Sequence, residues 1–133
     1  MLAVDTNVLV YLLLEGDRTA DAQALYEKDA DWRSEGFLLI EFSNVLATYR
    51  RRGVLAGDTA AELLATAERV AGGVVNLPHG RALALASEYG VSAYDARFLG
   101  AAQALGTKLV TEDAKLRAAA PVLTRSIAQA LKD

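Results

Sequence analysis

The stretch Leu2-Ala3-Val4-Asp5-Thr6-Asn7-Val8-Leu9 decides how this chain is read. An apolar run stops at an acid, and apolar residues resume three positions later. A continuous apolar run bounded by polar residues is the pattern of a strand buried on both faces, as in a parallel sheet. Such a strand delivers the carboxylate of Asp5 to its own C-terminal tip. An acid there is costly unless something pairs with it, so its partners must lie elsewhere in the chain.

The 133 residues suit one domain spanning 1–133, long enough to bury roughly two thirds of the unfolded surface without disulfides. Cysteine is absent, which removes disulfide frameworks and thiolate metal sites from consideration. The apolar segment 8–14 is far too short to span a membrane and no basic region precedes it, so a cytoplasmic protein is expected. Net charge is −3, which gives no broad electrostatic pull toward nucleic acid. Setting four acids aside as a cluster leaves acids and bases nearly balanced, so the acidic surplus is attributable to one site.

Beyond the opening strand, residues 8–14 are read as the first helix, with Thr6 or Asn7 as its N-cap, and 18–28 as the second. Residues 30–34 form a short strand. The spacing of Leu38, Phe42, Val45, Leu46 and Tyr49 predicts a helix over 37–52, closed by Gly53. On it Thr48 and Arg52 fall within about 20° of Glu41, so one face carries a carboxylate and, roughly 16 Å away, a guanidinium. Asp58 is read as the cap of a helix running to Val70. A strand over 74–77 is cut off by Pro78, and a helix over 80–89 is ended by Gly90. Helical spacing continues from Tyr94 to Leu105, followed by a strand at 108–110, a short helix to Ala119, a short strand at 122–123 and a last helix from Ser126. Strands separated by helices imply crossover connections. The fold class is therefore α/β, a three-layer α/β/α arrangement around a mainly parallel sheet of about five strands.

In open parallel sheets ligands bind beyond the carboxyl ends of the strands. Asp5 and Asp113 follow such ends, and Glu41 and Asp95 lie in first helical turns able to face the same crevice. Each has an ordinary alternative. Asp5 can close a strand, Ser92 and Asp95 fit a capping pair, and Asp113 or its neighbour Glu112 can sit in a first turn. Glu41, set within Phe37-Leu38-Leu39-Ile40-Glu41-Phe42, reads as buried near the sheet, where an unpartnered acid is rare. Several carboxylates sharing a crevice repel one another, and a hard divalent cation with oxygen ligands relieves that. His79 is the only histidine and is placed in a loop beside Pro78, which argues against a histidine metal site or a serine triad.

Four segments carry a resemblance: Val4-Asp5-Thr6-Asn7-Val8-Leu9, Glu41-Phe42-Ser43-Asn44-Val45-Leu46, Ala93-Tyr94-Asp95-Ala96 and Leu109-Val110-Thr111-Glu112-Asp113. In this order and spacing the chain resembles the PIN-domain ribonucleases, and among them the short VapC-type toxins of prokaryotic toxin-antitoxin pairs. The resemblance implies that Asp5, Glu41, Asp95 and Asp113 bind Mg²⁺, with Mn²⁺ as a substitute, and hydrolyse RNA phosphodiesters. Its Thr-x-Asp spacing favours Asp113 over Glu112, which stays a competitor. Thr6, Asn7, Asn44 and Thr111 are the expected supporting polar residues.

An acidic crevice repels RNA, so basic residues must flank it, from among Arg50, Arg51, Arg52, Arg97, Lys108, Lys115 and Arg117; Arg52, Arg97 and Lys115 are the candidates put forward. The resemblance further implies a small protein antitoxin and a homodimer; no membrane partner is expected, from the shortness of the apolar segment 8–14. Leu12, Leu13 and Leu14 exceed what one helix face needs, which fits either an exposed apolar surface or burial against the sheet. The competing reading is a catalytically inactive PIN-like binding module. A phospho-accepting domain would need a second acid beside Asp5, which Thr6-Asn7 does not supply.

Overall fold

A computed structural model describes residues 1–133. Strand β1 (Leu2–Val4) is buried at all three positions, and because successive side chains point to opposite faces, both faces of the sheet are covered there. It pairs in parallel with β2 (Trp32–Glu35) on one side, Leu2 against Trp32, and with β4 (Leu109–Val110) on the other, Ala3 against Leu109. The outer strands are β3 (Gly73–Val75) and β5 (Thr124–Arg125), giving the order β3-β2-β1-β4-β5 with every pair parallel. A three-residue strand suffices at the centre because it is hydrogen-bonded along both edges.

Eight helices connect the strands: α1 (Thr6–Leu13), α2 (Thr19–Lys28), α3 (Phe37–Arg51), α4 (Gly57–Val70), α5 (His79–Tyr89), α6 (Ala93–Ala104), α7 (Ala114–Ala119) and α8 (Ile127–Lys132). Helix α1 packs on α2 and α3, α3 on α4, and α2 on α8, while α5 packs on α6 and α6 lies against β1, β2 and β4. The α/β/α expectation is met. One core of 23 buried residues runs from Leu2 to Ala130, and a smaller cluster of Leu77, Ala82, Leu85 and Ala96 lies under the β3–α5 connection. Leu12 and Leu13 pack against the main core, and they and Leu14 are half-buried. Gly100 lets α6 close on that cluster, since a Cβ there would stand 2.4 Å from a Leu77 methyl. No helix is long and apolar enough to cross a membrane.

Several boundaries differ from those read in the sequence, each for a local reason. Helix α1 starts at Thr6, and its cap is Asp5 rather than Thr6 or Asn7. Asp5 has the extended backbone a cap requires, and its Oδ1 accepts from the Val8 N–H at 3.2 Å. Asp58 lies inside the first turn of α4, not at its cap, which is Ala56. The strand expected at 30–34 is displaced to Trp32–Glu35, and its last residue, Glu35, is buried. The strand expected at 74–77 ends at Val75, because the Leu77 N–H turns to the Glu35 carboxylate at 3.1 Å. The last strand is Thr124–Arg125 rather than 122–123: Val122 is left exposed, whereas the buried Thr124 donates its hydroxyl to the Ala120 carbonyl at 2.8 Å. His79 opens α5 instead of lying in a loop.

Candidate functional site

Four elements bring carboxylates to one crevice of about 450 Å³ beyond the carboxyl ends of β1 and β4. Asp5 comes from the β1–α1 junction, Glu41 from the second turn of α3, Asp95 from the first turn of α6 and Asp113 from the turn between β4 and α7. Thr6, Asn7, Asn44, Val45, Phe37, Ile40 and Phe98 complete the lining. No Lys, Arg or His is among them.

Asp5 is fixed most firmly. Burial at the end of the central strand pushes its carboxyl up to about 6; the Thr111 hydroxyl and the Val8 N–H pull it back, and the charges of Asp113 and Asp95 add to the rise. Asp95 is also raised, first by burial and then by Asp113, with the Ser92 hydroxyl opposing. Three of the acids therefore feel one another across the crevice. Glu41 is half-buried, less than its apolar neighbours in sequence suggest, because α3 turns Ile40 out to solvent at 64% exposure. Its Oε1 accepts from the Thr6 hydroxyl at 2.6 Å. Asp113 is the N-cap of α7, accepting from the N–H groups of Lys115 at 3.0 Å and Leu116 at 3.1 Å, while its own N–H donates to Thr111 Oγ1. Thr111 is wholly buried beneath this pair of acids.

Glu112 turns away from the crevice. It meets Arg117 at 3.3 Å and Arg18 at 3.6 Å and accepts from the Ile127 N–H, tying α7, α8 and the start of α2 together. Of the two neighbouring acids, Asp113 is the one in the crevice. The three basic candidates stand elsewhere. Arg52 is the exposed C-cap of α3, beyond Val45, where the lining ends on that helix. Lys115 is exposed and forms no ion pair. Arg97 is committed to the fold: its guanidinium bonds to the buried Glu35 at 3.1 Å and the Leu77 carbonyl at 2.9 Å, and contacts His79 Nδ1. A buried carboxylate needs such a partner, and the sequence reading did not single out Glu35 as the acid that claims Arg97.

The apolar wall of Phe37, Ile40 and Phe98 was also missed in sequence, where Phe37 and Ile40 entered only as apolar neighbours of Glu41 and Phe98 only as part of a helical spacing. A signal was present: Phe37, Glu41, Asn44 and Val45 fall on one face of α3 at spacings of three and four.

The groups of the crevice able to ligate a metal are oxygens, and carboxyls raised by burial and then by one another's charge want a cation, which suits a hard divalent ion. The side chains do not form a closed cage, since no three acids stand close enough to grip one ion directly. Mg²⁺ is compatible with such an open set because it keeps several waters and takes only one or two carboxylates.

Comparison with known proteins places this geometry. The chain is 27% identical over 126 residues to Ribonuclease VapC3 from Pyrobaculum aerophilum, an alignment that covers 92% of this chain and 96% of that protein. The crystal structure of PAE2754 from the same organism superposes with a TM-score of 0.78 over 98% of this chain and 92% of that chain; at 21% identity it shows the shared fold. The PIN domain family matches residues 2–121, a span holding all four crevice acids, and the chain belongs to that family.

Proposed function

We propose that this protein is a divalent-metal-dependent endoribonuclease, the toxin of a toxin-antitoxin pair, working as a single domain. The observation that carries the reading is the convergence of Asp5, Glu41, Asp95 and Asp113 on one crevice that contains no basic side chain. Membership of the PIN family and similarity to a protein named as a VapC ribonuclease support it.

In this reading the four carboxylates are the ones that would hold Mg²⁺, with Mn²⁺ as a substitute, one or two of them directly and the others through the waters the ion keeps. When bound, the ion supplies charge neutralisation at the phosphate and a lower pKa for water. The chain's own residues orient and hold. Asp5 is immobilised by the buried strand before it and by the Val8 N–H, Glu41 is aimed by the Thr6 hydroxyl, and Asp113 is locked by its cap. The Asn7 and Asn44 amides line the crevice as neutral donors for phosphate oxygens, a role charged bases do not fill there. An antitoxin covering the crevice and a homodimer are the partners this assignment carries.

A second reading, an inactive binding module, is favoured by one observation. Asp5, Asp113 and Glu41 already serve the fold through caps and a hydroxyl contact, and no three acids stand close together. RNA cleavage with mapped ends separates the two. The nuclease reading expects Mg²⁺- or Mn²⁺-dependent products with 5′-phosphate and 3′-hydroxyl ends, lost in Asp5→Asn. Full cleavage by Asp5→Asn, or none by the native protein with either ion, would end it.

A further inference from the structure

We infer that Tyr94, stacked on Phe37 at the rim of the acidic crevice, is a platform for an unpaired nucleobase of the substrate, next to the phosphate that is cut. The inference rests on the nuclease reading and extends it to how the substrate is gripped.

Tyr94 directly precedes Asp95 in the first turn of α6 and is 63% exposed. Its ring lies 5.2 Å from that of Phe37 with the planes only 14° apart. Phe37 in turn meets Phe98 at 6.5 Å, and Phe98 is buried. Phe37 and Phe98 both line the crevice. A ring 63% exposed to solvent is thus braced from behind by Phe37, which rests in turn on the buried Phe98. An ordinary surface tyrosine loses side-chain freedom when it binds something; this one is already ordered, so stacking on it costs little more. Ile40, one turn along α3 from Phe37 and beside Glu41, extends the apolar rim.

The electrostatics of the crevice point to the same ligand chemistry. Its acids repel an RNA backbone, Arg97 is occupied by Glu35, and no base lines the walls. Grip on the flanking nucleotide then falls to uncharged surface, and every nucleobase offers a π-face to an aromatic ring. A base inside a duplex is already stacked and paired, so the platform selects single-stranded or loop RNA. A segment of a partner protein is the other conceivable occupant. The flat, singly exposed ring beside the acids fits a planar base better, and the test below separates them.

The experiment compares cleavage of a single-stranded RNA oligonucleotide in Mg²⁺ by the native protein, Tyr94→Phe, Tyr94→Leu and Tyr94→Ala. It is repeated with one abasic nucleotide moved through the positions around the cut. Removing the base at one flanking position is expected to slow the native protein about tenfold. Tyr94→Phe should behave as native, while Tyr94→Leu and Tyr94→Ala lose about tenfold in kcat/KM on intact RNA and show no further loss at that abasic position. Melting curves of the variants report any loss of fold. Native rates from Tyr94→Ala, or an abasic penalty that stays in full on top of the variant's own, would overturn the platform while leaving the nuclease standing. Absence of cleavage by the native protein would remove both readings together.

Discussion

Asp5 caps a helix in a place that disfavours its charge. As the cap of α1 it is a structural group, yet burial holds its proton up to about pH 6. Between its ordinary value of 3.8 and about 6 the folded protein keeps a proton that the unfolded chain gives up. The stabilisation from this residue is therefore complete below about 3.8 and lost as pH rises through about 6. Metal-free protein is expected to lose up to about 3 kcal/mol over that interval, the scale of two pKa units. Asn caps a helix as well as Asp does, so Asp5→Asn should flatten the decline and melt higher than the native protein at pH 7. Denaturant titrations from pH 4 to 7 check this, and a native-like slope in Asp5→Asn would place the proton elsewhere. The position of Asp5 was legible because three apolar residues end at it. Its role as the cap was not, since Thr6 and Asn7 are equally good cap residues and only the backbone conformation at the strand tip selects among them.

At the level of elements, the Glu35–Arg97 pair holds the end of β2, the start of α3 and the β3–α5 connection in one place. Glu35 accepts from the Phe37 N–H at 2.6 Å and the Leu77 N–H at 3.1 Å, and Arg97 reaches it from α6. Removing one member of a buried pair strands the other charge. Arg97→Met is expected to cost about 3 kcal/mol, with Glu35→Gln in the same chain recovering a good part of it. A urea titration of the single and double variants reads the coupling; additive losses would mean that the pair is not a unit. Sequence alone could not assign Arg97 here, because the pairing spans 62 residues and Glu35 follows a run with no helical or strand period. Helices with a clear apolar stripe, such as α3, were legible nearly to the residue. The two-residue strand β5 was not, because the apolar pair before it invited the assignment while main-chain pairing chose Thr124 and Arg125.

For the molecule as a whole, the crevice exists only when four separate elements have met, so anything that binds it stabilises the entire fold. Saturating Mg²⁺ at a hundred times its Kd should add about 2.7 kcal/mol to the native protein and raise its melting temperature, with little effect on Asp5→Asn. Melts with Mg²⁺ or a chelator check the sign, and equal shifts in both proteins would locate the ion away from Asp5. The architecture was legible at this scale because alternating strand and helix patterns admit few parallel topologies; the location of the bases was not, since charge on a surface has no period to follow. The strand order carries a last consequence. β1 is made first but sits in the middle, and the edge that β4 covers stays open until residues 109 and 110 arrive, followed by Asp113. During translation the growing chain therefore holds an unfinished sheet and an incomplete set of carboxylates until β4 and Asp113 have been made.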